Sequence, residues 1–137
     1  MAFVIHPRLA ATCFEIGSLA GCRLLLKNNA LFPWLLLVPE VAEDIVDLHQ
    51  LDSQHYWEVM AALRQVSEFV SSHFGPEKLN VACLGNKVRQ MHIHIVGRSA
   101  EDPAWPATVW AFEDKQPYSF EGAEAIIISA KAFLEID

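Results

Sequence analysis

Cysteine is scarce in this chain and forms no pattern. Cys13, Cys22 and Cys83 are odd in number and widely spaced, and no Cys-x-x-Cys pair occurs. A disulfide framework and a cysteine-based zinc or redox motif are therefore excluded, and a reduced, cytoplasmic setting fits best. Positive charge is also short: 10 Lys and Arg stand against 17 Asp and Glu, a net charge of −7. Such a surface suits neither nucleic acid nor an anionic membrane. An anionic small molecule would need local help from groups such as Lys27, Lys87, Arg89 and Arg98. Long apolar runs are missing too. The longest, Leu31 to Val38, is far too short to span a bilayer and contains Pro33. The start, Met1 to Arg8, has no basic region followed by a long apolar stretch, so no signal peptide is expected. There are no internal repeats, low-complexity tracts or interdomain linkers, and the 137 residues are read as one domain, 1–137.

What the chain does have is apolar material, 53% of its residues, enough to build a core without staples. Thr12 to Ile16 reads as a short strand or a turn of helix, ended by Gly17. Cys22–Lys27 and Trp34–Val38 read as two strands joined by a loop that begins with the turn-forming pair Asn28-Asn29, hence an antiparallel hairpin. Pro39 to Leu51 carries Val41, Ile45 and Leu48 at helical spacing and predicts a short helix. A long helix is expected from about Gln54 to His73. Asp52 or Ser53 caps it, Gly75-Pro76 ends it, and Trp57, Met60, Ala61, Val66, Phe69 and Val70 lie on its apolar stripe. His49, His55 and His73 fall in this helical region and read as solvated or capping residues. Leu79 to Leu84 reads as a strand that pairs with the next one. Residues 102–110 hold too many prolines for regular structure, and their Trp105 and Trp110 would pack on the core, on a ligand or on a second subunit. Glu121 to Leu134 reads as a C-terminal helix entered near Ser119. Strands in hairpins around one long helix make an α+β protein with an antiparallel sheet of about five strands.

Chemistry concentrates in one stretch. From Gln90 to Val96, Met91, Ile93 and Ile95 alternate with Gln90, His92 and His94, the period of a half-buried strand bracketed by Gly85 and Gly97. Alternate residues on a strand stand roughly 6.6 Å apart, so one phosphate-sized group can touch both imidazoles. Neutral imidazole is a nucleophile and its neighbour can donate a proton, which suits phosphoryl transfer without a metal or cofactor. Two surface histidines, or half of a metal site, are the competing readings of the same residues.

Gly85-Asn86-Lys87-Val88-Arg89-Gln90-Met91-His92-Ile93-His94-Ile95-Val96 resembles, in register and without gaps, the signature of the histidine triad (HIT) superfamily of nucleotide hydrolases and transferases, Gly-Gln-Ser/Thr-Val-x-His-φ-His-φ-His-φ-φ with φ apolar. Gln90 stands where the first histidine of that pattern falls, and Lys87 where a small hydroxyl residue falls. The resemblance implies a HIT-like fold in which His92 is the nucleophile. His94, with Gln90 beside it, would contact the scissile phosphate. Backbone groups of Gly85, Asn86 and Lys87 would hold its oxygens. The step Leu26-Lys27-Asn28 resembles the family's Leu-x-Asn, which implies Leu26 against the base and Asn28 on the ribose. It further implies cleavage at the α-phosphate of a phosphoramidate or dinucleoside polyphosphate through a nucleotidyl-histidine intermediate. The other implications are a homodimer, a nucleotide as partner and no cofactor. A nucleotide-binding module with little turnover and a metal protein built on His-x-His remain the alternatives.

Overall fold

The computed structural model describes residues 2–137. Five strands form one antiparallel sheet: β1 Cys13–Leu19, β2 Cys22–Lys27, β3 Trp34–Pro39, β4 Lys78–Ala82 and β5 Ile93–Arg98, in the order β1-β2-β3-β5-β4. Helix α1 covers Pro7–Thr12, α2 Ser53–Phe74 and α3 Phe120–Leu134. The expected class, α+β with a five-stranded antiparallel sheet and one long helix, is what the chain adopts.

The three inner strands are apolar on both faces because both faces are covered. On one face Leu24, Leu26, Leu35, Leu37, Ile93 and Ile95 pack against Val59, Ala62, Val66, Phe69 and Val70 of α2 and against α3. On the other, Leu25, Trp34, Leu36 and Val96 pack under Leu9 of α1 and under Ala104 and Val109 of the irregular segment that follows β5. A strand buried twice reads as a continuous apolar run, which is why Trp34–Val38 shows no alternation.

Local signals set the helix ends. Asp52 accepts the His55 N–H at 2.8 Å as the N-cap of α2, and Gly75 ends that helix in the left-handed region at φ 60°. Ser119 caps α3 through the Gly122 N–H. His49, His55 and His73 are all exposed, as expected.

Several boundaries differ from the sequence-based expectation. Gly17 does not end the first strand. It sits inside β1, where the pairing shifts between Glu15 and Gly17. β1 then turns into β2 at Ala20 and Gly21, with φ of 48° and 74°, and an alanine at such a turn gives little warning of it. Pro39 to Leu51 forms turns and a single 3-10 stretch, Leu48–Gln50, instead of a helix. The Gln50 side chain takes the Val46 and Asp47 N–H groups, so local side-chain bonds replace a helical ladder. Trp57, expected on the buried stripe of α2, is 72% exposed, and the stripe runs through Val59 and Ala62 instead. The β4 strand ends at Ala82, and the connection to β5 spans residues 83–92.

Gly97 lies within β5, not beyond its end. A Cβ there would come 3.3 Å from the Cβ atoms of both Pro33 and Pro76. Proline rings cannot swing aside as a flexible side chain would. Gly97→Val is expected to destabilise the fold by about 1–3 kcal/mol in urea unfolding, the usual range for overpacking, and an unchanged midpoint would show that the two prolines yield.

Candidate active site

The histidine stretch enters the ladder later than its alternation suggests. β5 begins at Ile93, so Gln90, Met91 and His92 precede it. Gln90 is bonded away from the sheet. Its amide bridges to the N-terminal segment, accepting the His6 N–H at 2.8 Å and donating to the Val4 carbonyl at 2.9 Å. Its own carbonyl accepts from His92 Nδ1 at 2.7 Å. The Gln90 carbonyl is thus taken by a side chain and not by a neighbouring strand.

The structure brings His92 and His94 together, with ring centroids 4.9 Å apart. Both are buried, at 6% and 7% exposure, on the face of the sheet away from α2 and α3. Their protonation is set by different partners. A carbonyl can only accept, so His92 carries its proton on Nδ1, which leaves a lone pair on Nε2. The Trp34 indole N–H can only donate, and it donates to His94 Nδ1 at 2.9 Å. His94 therefore carries its proton on Nε2. One imidazole presents a nucleophilic nitrogen and the other a hydrogen-bond donor.

Burial lowers the His92 pKa below its ordinary value. The bond to the Gln90 carbonyl opposes the shift, and the Lys27 and His6 charges add to it. Burial, then His92, then Lys27 push His94 down to about 3. Both rings are thus neutral near pH 7.

Aromatic cover supplies the burial. Trp34 and Trp110 lie 5.7 and 5.4 Å from the His94 ring, and 6.2 Å from each other. Trp110 comes from the segment after β5, and its Nε1–H is buried with no acceptor. Arg98 anchors that segment. Only 2% exposed, it donates to both Asp102 carboxylate oxygens at 2.8 and 3.1 Å, to Asn80 at 2.9 Å and to the Ala107 carbonyl at 2.7 Å. Four of its five N–H groups are thus engaged within the fold.

The other expected site residues are distributed as follows. Leu26 has no exposure and belongs to the core under α2 and α3, on the face opposite the histidines, because β2 alternates and Lys27 takes the histidine side. Asn28 follows β2, and its side-chain oxygen accepts the Tyr118 N–H at 2.9 Å, tying the β2 end to the approach to α3. Gly85, at φ 77°, begins a loop whose Asn86 and Lys87 are exposed and whose Val88 is buried in the second core. Trp34 was not singled out in the sequence, since inside an apolar run it looks like one more core residue; its indole N–H is the only hint of a polar role. Among the described residues, no group of three or more His, Cys, Asp or Glu could hold a metal ion.

Because the folded-state pKa values of both histidines lie below the unfolded value of about 6.5, the unfolded chain binds more protons as the pH falls. Stability from these groups is fully present above that value and is lost as the pH drops toward the folded value, about 3 for His94. The unfolding free energy should therefore decline between about pH 7 and about pH 4, and His94→Gln should decline less steeply. Parallel profiles for the two proteins would remove His94 from the linkage.

The chain matches the family described as HIT domain over residues 9–101. Three solved structures are similar over nearly the whole chain. A histidine triad protein from Marinobacter aquaeolei VT8 is 35% identical, with 97% of this chain and 96% of that chain covered and a TM-score of 0.92. One from Bradyrhizobium japonicum is 32% identical, with 98% and 99% covered and a TM-score of 0.93. One from Sinorhizobium meliloti 1021 is 32% identical, with 96% and 97% covered and a TM-score of 0.92. No curated protein matches the chain. The matched residues, the shared fold and the paired imidazoles at its centre agree: the chain belongs to the histidine triad (HIT) family.

Proposed function

We propose that the protein is a nucleotide hydrolase or nucleotidyl transferase acting at the α-phosphate of a nucleoside phosphate. The observation that carries this reading is the opposed tautomers of two adjacent neutral imidazoles. His92 Nε2 attacks phosphorus, and the bond to the leaving group breaks with its electron pair going to the leaving atom, which then takes up a proton. The P–N bond makes His92 an imidazolium, stabilised by its Nδ1–H donating to the Gln90 carbonyl. Water then adds to phosphorus, the P–N bond breaks, and a proton leaves to solvent, giving the nucleoside monophosphate and neutral His92. His94 Nε2–H holds a phosphate oxygen through both steps, helped by backbone N–H groups of Gly85, Asn86 and Lys87. Asn28 meets the ribose. Gln90 contributes through its carbonyl, while its amide holds the N-terminal wall. No metal or cofactor enters.

A cavity of about 800 Å³ lies beside Gln90, two residues before His92, and would receive the leaving group in this reading. It is lined by Phe3, Ile5, Val41 and Met91 together with Glu40 and Glu43, and by no Lys or Arg. That lining favours an apolar or cationic amine over a polyphosphate. The three thiols, all unpaired, fit a reducing, cytoplasmic compartment.

His92→Ala should abolish turnover by several orders of magnitude and leave the fold intact, because the ring lies on the covered polar site and not in the α2–α3 core. The check is intact-protein mass after an acid-free quench with an adenylated amine and with a dinucleoside polyphosphate. An adduct on the wild type that maps to His92 is expected. Near-normal turnover in His92→Ala would dismiss His92 as the nucleophile, whereas a wild type that binds nucleotide without turnover or adduct would leave the binding module.

The reading includes a homodimer. β4 is a free edge of the sheet, Val81 on it and Leu84 just beyond it are 45% and 44% exposed, and Trp57 on α2 is 72% exposed. Light scattering at micromolar concentration should give twice the chain mass, and a monomer alone would refute it.

A further inference from the structure

Lys27 is the one cation that the fold turns toward the histidines and leaves without an acid, among the described residues. It ends β2 on the histidine side of the sheet, half-buried, with its ammonium 5.7 Å from the centre of the Trp34 ring. Its only hydrogen-bond partner there is the Thr12 hydroxyl at 3.3 Å, and no carboxylate lies within ion-pair distance. Burial lowers the Lys27 pKa, and the titratable groups that act on it, the Cys13 thiol raising it and Lys115 lowering it, include no carboxylate. In a chain of net charge −7, a half-buried ammonium with no counter-charge is an unbalanced feature. The Trp34 ring that Lys27 overlies also carries the indole N–H that donates to His94 Nδ1, so Lys27 and His94 meet one side chain. A second donor without an acceptor, Trp110 Nε1–H, sits in the same cluster.

We propose that Lys27 and the Nε2–H of His94 form an oxyanion subsite that binds the non-bridging oxygens of a tetrahedral phosphoryl group. The substrate supplies the missing counter-charge. In the site as proposed above, the ammonium neutralises charge on the phosphate while His92 attacks, a role that no exposed lysine on the Gly85–Lys87 loop performs from within the covered cluster. The lowered pKa values of His92 and His94, to which the Lys27 charge contributes, agree with its reach over both rings. The subsite rests on the proposed function only for the identity of the reacting group; anion binding itself does not.

Inorganic phosphate is the probe, followed by 15N shifts of the His92, His94 and Lys27 side chains. Phosphate should move all three in the wild type. Lys27→Met keeps an apolar stem on the Trp34 ring, removes the charge, and should weaken phosphate binding about tenfold or more while raising the His92 pKa. Lys27→Arg should restore most of the binding. Equal binding in Lys27→Met, or a wild-type Lys27 resonance indifferent to phosphate, overturns the subsite, and the second readout needs no folded variant. The two readings fail separately. Phosphate binding that depends on Lys27, without any adduct on His92, removes the hydrolase and keeps the subsite. An adduct on His92 with phosphate binding indifferent to Lys27 does the reverse.

Discussion

The arrangement depends on the Arg98–Asp102 ion pair at the end of β5. Asp102 accepts both arms of the Arg98 guanidinium and also the N–H groups of Ser99, Ala104 and Trp105. An irregular, proline-containing segment has no ladder of its own, so its backbone donors need such a hub. With the hub in place, Ala104, Val109 and Trp110 are laid over the outer face of β3 and β5. Break one member, and the other is left as a buried charge without a partner, a loss of about 3–5 kcal/mol. The consequence would reach the site, because the same segment keeps water from His94.

Dryness is what makes two chemically identical side chains different. In water both rings would exchange tautomers freely. Under the tryptophans each has one fixed neighbour, a carbonyl for His92 and an indole N–H for His94. Low local dielectric strengthens both bonds and penalises the charged form of either ring. A lone pair and a donor are thus presented side by side at neutral pH without an acidic residue to hold them. The burial that suppresses the imidazolium before reaction also leaves any cation formed at His92 dependent on the Gln90 carbonyl.

Much of the fold was legible because its strongest signals are local. The cap at Asp52, the stop at Gly75, the entry at Ser119, and the ends of β2 and β3 all follow from residue chemistry. What escaped was decided by local geometry that residue type signals weakly and by which face of a helix packs inward. The turn at Ala20-Gly21 is formed by an alanine in the left-handed region, the 39–51 segment loses its helix to the Gln50 side chain, and Trp57 sits one step off the buried stripe. At the site, His92 and His94 were visible as an alternating pair, and the chain order of the signature placed them. Their tautomers were not visible, since these rest on Trp34 and on a carbonyl from the preceding turn. Leu26 lies in the core, its plain reading as an apolar strand residue, because strand parity puts it on the face opposite Lys27, and the Leu-x-Asn step does not reveal which face meets the histidines.

Gln90 shows why a departure from a family pattern need not be a loss. Its position is two residues before His92, where its backbone carbonyl is required whatever the side chain is. The side chain is then free for another use. A primary amide carries an acceptor and a donor close together, and both are engaged by consecutive stretches of the N-terminal segment, at His6 N and Val4 O. A histidine ring has its two nitrogens pointing apart and could not make both bonds to one passing backbone. The amide therefore converts residues 4–6 into a wall beside His92, and the charge of His6, brought close by that wall, joins Lys27 in disfavouring the imidazolium. Lys27, on the same side of the sheet but two strands away on β2, adds its charge to the same effect on both rings.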